Sequence, residues 1–316
     1  MKFFTKNLIL ALLVSTGLMA SSTTHYVQIF TADNKDGKIT PKTIETTFEK
    51  AGFFINDNRN MLPPFIKNFK TTDFDVYNLF TVFKKDAVLA LAKKYPTIGL
   101  FTPMSMSIYT RKGTKTISVS SLSVPSMAKI MGMPADDTDL VAYGKLVQET
   151  LKKALPQAKM EKVAYEMKTP AGELVSKATL TMAKGADWED VKDDFEMNFE
   201  GELPGNDFIM AGFNDLNYDF EEAKYEAFNF YDVYSICNIS VIYTVSKKHP
   251  EAGAFAPCSL YMYNKKGTNT IKMAFPSVYN WIASLAIEDK PSLEVLVTAQ
   301  VKMELILKKL TEKTEK

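Results

Sequence analysis

A chain of 316 residues with 38 basic and 37 acidic side chains has no excess of positive charge, which argues against a nucleic-acid-binding protein. With 46% hydrophobic and 24% charged residues, the composition is that of a globular protein, and the length suffices for two domains with separate cores. Only His25 and His249 could serve as the base of a Ser–His or Cys–His hydrolytic site, so that class of enzyme is not expected.

The first 20 residues are typical of a secretory signal peptide. Lys2 and Lys6 form a positive segment, the apolar run Leu8–Val14 follows, and small residues lead to Ala20. The apolar run is too short for a membrane-spanning helix, so we expect no membrane span in the mature chain. Removal of residues 1–20 leaves 36 basic and 37 acidic side chains. We therefore predict a periplasmic or secreted protein.

The first half of the mature chain is predicted to alternate strands and helices. Thr40 and Pro41 are typical of a helix start, and Gly52 is typical of a helix end. Lys112-Gly113, between two runs rich in β-forming residues, predicts a hairpin turn. The predicted elements are strand 26–30, helix 41–51, strand 75–83, helix 87–95, hairpin strands 104–111 and 116–122, and helix 139–155.

The second half is predicted to repeat this order after a boundary near Pro156-Gln157. An additional hairpin is expected across Thr169–Gly172, with arms at 161–168 and 173–182. Asp187 can cap the helix that follows. The remaining predicted elements are strand 228–237, helix 240–248, a hairpin over 259–274, and helix 292–310.

The chain contains an internal repeat of domain size. Residues 77–118 align without a gap on residues 231–272 at an offset of 154, and 14 of the 42 aligned positions are identical. This period is longer than the roughly 20–50 residues of solenoid units, so it indicates two copies of one domain.

The predicted element order sets the fold class. A hairpin with helices before and after it predicts a two-layer α+β sandwich for each copy. Each copy would leave one sheet face open, so we expect the two copies to pack against each other as a pseudo-dimer. The predicted domains are residues 23–156 and residues 157–316.

The second copy carries a cysteine pattern around its central helix. Cys237-Asn238 ends a predicted strand, and Gly253 begins a Gly-x-x-x-Pro-Cys turn that ends at Cys258, before the hairpin turn Lys266-Gly267. In this order and spacing the chain resembles the domain of unknown function 302 family. The family pattern is a strand ending in Cys-Asn-Pro, a helix, that same turn, and a hairpin.

The resemblance implies a small two-layer fold of the TATA-box-binding-protein class, which occurs singly as dimers or as tandem repeats. It brings no established activity. The sequence departs from the family pattern at Ile239, which replaces the proline. The first copy has Phe83-Lys84 and Met104 where the second has Cys237-Asn238 and Cys258. Any chemistry of the cysteines therefore belongs to the second copy.

Three interpretations of the cysteine pair stay open. Cys237 ends one predicted strand and Cys258 begins the next. In an exported protein, a structural disulfide between them is the favoured interpretation. Two buried inert thiols are the first alternative, and a redox-active pair is the second, although the Cys-x-x-Cys spacing is missing. His249 lies between the cysteines, but these three side chains are one ligand short of a closed zinc site. We predict no metal and no cofactor.

The sequence favours a non-enzymatic protein, although it leaves activity by paired carboxylates open. We expect binding of an unidentified small molecule or of an envelope protein. The candidate cleft is lined by Cys237, Asn238, Pro257 and Cys258. The alternative is a thiol redox or metal-binding function that uses Cys237 and Cys258, with His249 as a helper. A purely structural role in the cell envelope is a third possibility.

Overall fold

The computed structural model describes residues 26–161, 163 and 167–312. The predicted signal peptide, residues 1–20, lies outside the described residues. The described chain forms two antiparallel sheets with helices interleaved along the sequence, which confirms the predicted α+β class. Within the described ranges, no helix combines the length and the apolar character that a membrane crossing needs.

The first sheet belongs to the first copy. Its elements are, in chain order, β1 (Val27–Asp33), α1 (Pro41–Lys50), β2 (Phe54–Asn60), α2 (Leu62–Phe69), β3 (Phe74–Phe83), α3 (Lys85–Lys94), a first 3-10 helix (Pro96–Phe101), β4 (Met104–Arg111), β5 (Thr116–Leu122), α4 (Val124–Met131) and α5 (Thr138–Ala154). The strand order is β2-β3-β4-β5-β1. A two-residue strand, β6 (Lys159–Met160), pairs with the outer edge of β1.

The second sheet repeats this arrangement. Its elements are β7 (Val175–Thr181), α6 (Trp188–Gly205), β8 (Ile209–Asp215), α7 (Leu216–Glu222), β9 (Phe228–Cys237), α8 (Ile239–Ser246), a second 3-10 helix (Pro250–Phe255), β10 (Cys258–Lys265), β11 (Thr270–Pro276), α9 (Tyr279–Ser284) and α10 (Lys290–Glu312). The strand order is β8-β9-β10-β11-β7, the same as in the first copy. The protein therefore contains two copies of one sandwich.

Capping side chains set the helix starts that the sequence predicts. The Thr40 hydroxyl accepts a hydrogen bond from the Thr43 backbone N–H, and the Thr43 hydroxyl accepts one from the Thr40 backbone N–H. This reciprocal pair is a capping box, and Pro41 occupies the first helical position. Asp187 caps α6 through the Glu189 backbone N–H. Both predicted starts are confirmed.

The extra hairpin predicted at the start of the second copy differs from the structure. Its second arm is confirmed as β7, which pairs with β11 along all seven residues. Of its first arm, residues 161, 163, 167 and 168 are not in a strand, and the others lie outside the described residues. The nearby β6 pairs with β1 of the first copy and not with β7.

Alternation of side chains along the central strands separates two packing surfaces. Phe80 of β3 lies on the face covered by helices of its own copy, where its ring centroid is 5.3 Å from that of Phe48 in α1. Tyr77 and Ser107 lie on the opposite face and contact the second copy. Each sheet therefore buries one face in its own core and the other in the contact between the copies.

The contact between the copies is reciprocal. The Tyr77 hydroxyl donates to the carbonyl of Pro250 at 3.0 Å. The equivalent Tyr231 hydroxyl donates to the carbonyl of Pro96, which is the residue equivalent to Pro250. The same residue types therefore exchange the same bonds across the interface, as in a two-fold symmetric dimer.

A second reciprocal pair lies at the starts of β4 and β10. Ser105 donates from Oγ to the carbonyl of Pro257 at 2.9 Å, and the equivalent Ser259 donates to the carbonyl of Pro103 at 3.3 Å. All four of these residues are buried. The copies are thus packed as a pseudo-dimer within one chain.

Candidate functional site

The two cysteines lie at the ends of adjacent strands, one residue out of register. Cys237 is the last residue of β9 and Cys258 is the first residue of β10. In the register of these strands Cys258 lies opposite Ile236, so Cys237 is not its direct cross-strand partner. Both cysteines are free. The structure therefore does not show the predicted disulfide: both thiols are free, and the one-residue offset does not pair them across the strands.

The other two predicted site residues have structural partners. The Asn238 side chain caps α8 by accepting from the backbone N–H groups of Ser240 and Val241, at 3.0 and 3.2 Å. Pro257 presents its carbonyl to Ser105 of the first copy. Asn238 therefore orients the helix that follows Cys237, and Pro257 belongs to the contact between the copies.

Three of the four predicted residues line one apolar pocket in the second copy, here called the cysteine pocket. Cys237, Asn238 and Cys258 share it with side chains from β10, β11 and the helices on that face. Its cavity volume is about 60 Å³. The other lining residues are Phe208, Ile236, Val241, Ile242, Ala256, Leu260, Phe275, Pro276, Val278, Trp281, Ala299, Gln300 and Met303. Pro257 instead lies with Cys237 beside a smaller cavity between the copies.

The sequence predictions missed most of the pocket wall. Trp281 comes from α9, and Ala299, Gln300 and Met303 come from one face of α10. Gln300 is buried and accepts from the Val278 backbone N–H at 3.0 Å, which ties α10 to the segment before α9. Apolar residues recur every three to four positions along α10, which predicts a buried helix face. This pattern does not indicate which part of the sheet that face covers.

Larger side chains occupy the equivalent positions of the first copy. Phe83 and Met104 stand where Cys237 and Cys258 stand, and both are buried. The Phe83 ring lies 5.0 Å from the Phe54 ring. Cysteine is much smaller than phenylalanine or methionine, so these two side chains occupy less volume in the second copy.

The surroundings of the cysteines suppress thiol chemistry. Burial raises the pKa of both the Cys237 and the Cys258 thiol to about 12. Only a thiolate attacks a disulfide or binds a metal ion, so both groups are held in their unreactive form near neutral pH. Among the described residues, no group of three His, Cys, Asp or Glu side chains is placed to hold a metal ion.

His249, the proposed helper, lies elsewhere. Its Nδ1 atom is 3.3 Å from Oε1 of Glu251, at the start of the second 3-10 helix. Both residues line a polar cleft of about 420 Å³ between the copies, together with Tyr109 and Arg111 of the first copy. The structure therefore does not bring His249 to the cysteine pocket.

A wider groove of about 620 Å³ adjoins the cysteine pocket and crosses the junction between the copies. Asn68 and Phe69 at the end of α2 form its wall in the first copy. Its wall in the second copy comes from the end of α6, the start of β8 and the start of α8. Phe208 and Asn238 line both the groove and the cysteine pocket.

A separate charged pair is buried under α6. The Lys192 ammonium lies 2.9 Å from Oδ2 of Asp232, whose side chain is 1% exposed. Burial raises the pKa of Asp232 to about 7, although Lys192 opposes this shift. The equivalent residue in the first copy is the neutral Asn78, which donates to Oδ1 of Asn58 at 2.8 Å.

We expect Asp232→Asn to stabilise the protein in a pH-dependent way. Because the folded-state pKa is above the ordinary value of 3.8, ionising Asp232 costs more in the folded state than in the unfolded state. The wild type therefore loses stability as the pH rises from about 4 to about 7, and the variant does not. In urea unfolding, Asp232→Asn and the wild type should have equal free energies of unfolding at pH 4. At pH 8 the free energy of unfolding of the variant should be ~2 kcal/mol higher than that of the wild type.

The exposed Asp190→Asn, on the same helix, is the control and should show no such trend. An unchanged difference between Asp232→Asn and wild type at pH 4 and pH 8 would show that Asp232 ionises as easily in the folded protein as in the unfolded chain.

No family model and no curated protein matches the chain. Among solved structures, the chain is similar to an uncharacterized conserved protein DUF302 from Bacillus stearothermophilus, with 14% sequence identity and a TM-score of 0.34. The similarity covers 46% of this chain and 100% of the other. At this TM-score it does not show that the chain belongs to that family.

Proposed function

We propose that the protein is an exported, non-enzymatic binding protein that holds a small, largely apolar molecule in the cysteine pocket. The observation that carries this proposal is the shared apolar lining around Cys237, Asn238 and Cys258. Small-molecule sites in proteins are typically apolar concave spaces with few polar groups. The residues equivalent to the cysteines in the first copy are larger, which supports a role specific to the second copy.

We further propose that the chain is a tandem repeat of the domain of unknown function 302 family. The support is the cysteine motif of the second copy, together with the strand order common to both sheets. Export rests on the signal-like sequence of residues 1–20. Binding is preferred over the thiol alternative because burial keeps both thiols protonated.

Fluorescence of Trp281 gives a direct test of binding. The chain has two tryptophans, Trp188 and Trp281, and only Trp281 lines the pocket. In a Trp188→Phe background, titration with 1-octanol should produce a saturable change in emission. Adding Cys258→Met, which introduces the residue of the first copy, should weaken the affinity at least tenfold because it fills the pocket. Cys258→Ala should keep or strengthen binding.

Met104→Leu is the matched control, because it changes the equivalent position of the first copy with little change in volume. Its octanol affinity should equal that of the background protein. Circular dichroism and thermal unfolding would verify that each variant is folded. The absence of any saturable change in the folded background protein, or equal affinity in Cys258→Met and Cys258→Ala, would overturn the proposed function.

A further inference from the structure

We infer that the cysteine pocket and the adjoining groove form one elongated site for a linear aliphatic amine. The end of the aliphatic chain occupies the pocket, the rest of the chain lies along the groove, and the ammonium group lies beside the carboxylates of the groove wall. This inference rests on the proposed function and names the class of ligand.

The size of the pocket excludes a compact ligand. A volume of about 60 Å³ has room for only a few water-sized groups. Complete small-molecule sites are larger, at roughly 300–1,000 Å³. The pocket therefore accommodates one end of a ligand, and the remainder lies outside it. The groove, at about 620 Å³, provides that space.

The pocket and the groove adjoin each other. Phe208 and Asn238 line both of them. Helix α6 ends at Gly205, and Asp207 adopts a left-handed backbone conformation with φ of 65°. This conformation turns the chain, and the next residue, Phe208, is buried. A chain entering from the groove therefore passes Phe208 before it reaches the cysteines.

Apolar side chains line much of the groove. Phe69, which lines the groove, stacks on Tyr243 with ring centroids 3.8 Å apart, so α2 of the first copy packs against α8 of the second beside the groove. Ile209 and Met210 on the groove wall are 39% and 43% exposed, although both are strongly apolar. Exposed apolar side chains grouped along a concave surface are typical of a binding site.

The charges of the groove select the head group. Among the described residues that line it, Glu200 and Asp207 are the charged ones, and none is a lysine or an arginine. Asp207 pairs with Lys302 at 2.6 Å, so the main attraction for a cation comes from Glu200. Helix α6, which carries Glu200, has seven acidic residues and one basic residue. This negative field favours an ammonium over a carboxylate.

The test compares the binding of three ligand series to the Trp188→Phe protein. The emission of Trp281 reports the binding. Alkylamines, alkanols and alkanoates of six, eight and ten carbons are titrated below their aggregation concentrations. Affinity should rise about fourfold per methylene, which corresponds to ~0.8 kcal/mol of apolar burial. At low salt the amine should bind at least tenfold more tightly than the carboxylate of the same length.

Two variants localise the ends of the ligand. Glu200→Gln should lower the amine affinity about threefold to fivefold and leave the alkanol unchanged, since a single partly screened charge is removed. Asp190→Asn removes the same charge from α6 about 15 Å further along the helix, and it should change neither. Cys258→Met should abolish the gain from eight to ten carbons in all series.

The outcomes separate the two proposals. If alkanols bind and respond to Cys258→Met, but the head group and Glu200→Gln have no effect, the cationic ligand class is wrong and the binding function stands. Affinity that does not grow with chain length overturns the elongated site. If none of the three series binds, both proposals fail.

Discussion

Replacing Gly253 by alanine is expected to destabilise the protein by ~3 kcal/mol, because the added methyl group overpacks the contact between the copies. A Cβ atom at this position would lie 2.5 Å from Cβ of Ser107 and 3.1 Å from its Cα. These atoms belong to strand β4 of the first copy and cannot swing away as a long side chain would. The second 3-10 helix would have to move off the sheet.

That movement would also break hydrogen bonds across the interface. Ser107 donates from Oγ to the carbonyl of Pro250 at 2.9 Å, and Ser120 donates to that of Glu251 at 2.9 Å. Urea unfolding of Gly253→Ala and wild type measures the loss in free energy of unfolding. Gly201→Ala is the control, because no atom lies within 4 Å of the added methyl group and α6 gains helix propensity there. A Gly253→Ala protein within 0.5 kcal/mol of wild type, a roughly neutral change, would show that the copies are not closely packed.

The second large effect is expected from the pair of interface tyrosines. Tyr77→Phe removes one of two donors to the buried carbonyl of Pro250, because Ser107 also donates to it. Tyr231→Phe removes the donor to the carbonyl of Pro96 and also the acceptor of the Gly99 backbone N–H. A lost buried hydrogen bond costs roughly 0.5–1.5 kcal/mol and a buried group without a partner roughly 1–3 kcal/mol, so Tyr77→Phe should lose ~1 kcal/mol, Tyr231→Phe ~2 kcal/mol and the double variant ~3 kcal/mol.

Denaturant unfolding of the two single variants and the double variant provides the measurement. Tyr218→Phe is the control, since its side chain is 61% exposed and its stability should not change measurably. A loss below ~0.5 kcal/mol in both single variants would contradict the buried hydrogen bonds of the interface.

The sequence predicts the central elements of each copy well. The hairpin strands of the first copy and strand β9 have the predicted bounds, because their alternating apolar residues pack against helices on one side. Strand β2 was not predicted, since its sequence Phe-Ile-Asn-Asp-Asn-Arg-Asn is typical of a loop. Its pairing with β3 comes from backbone hydrogen bonds at the sheet edge, which composition does not report.

The candidate site was predicted only in part, for a similar reason. Strand order places Cys237 and Cys258 near each other, but the face on which each side chain lies depends on a register of one residue. The wall contributed by α10 comes from more than 40 residues further along the chain than Cys258, and no local pattern joins the two. The pocket between them became visible only once the sheet and the helix were placed together.

Differential scanning calorimetry of the purified protein can decide whether the duplicated sandwiches form one unit held together by the buried reciprocal contact. We expect a single transition whose calorimetric enthalpy equals the van't Hoff enthalpy, and a shift of that whole transition in Gly253→Ala. Two transitions, one for each copy, of which Gly253→Ala moves only one, would contradict the pseudo-dimer.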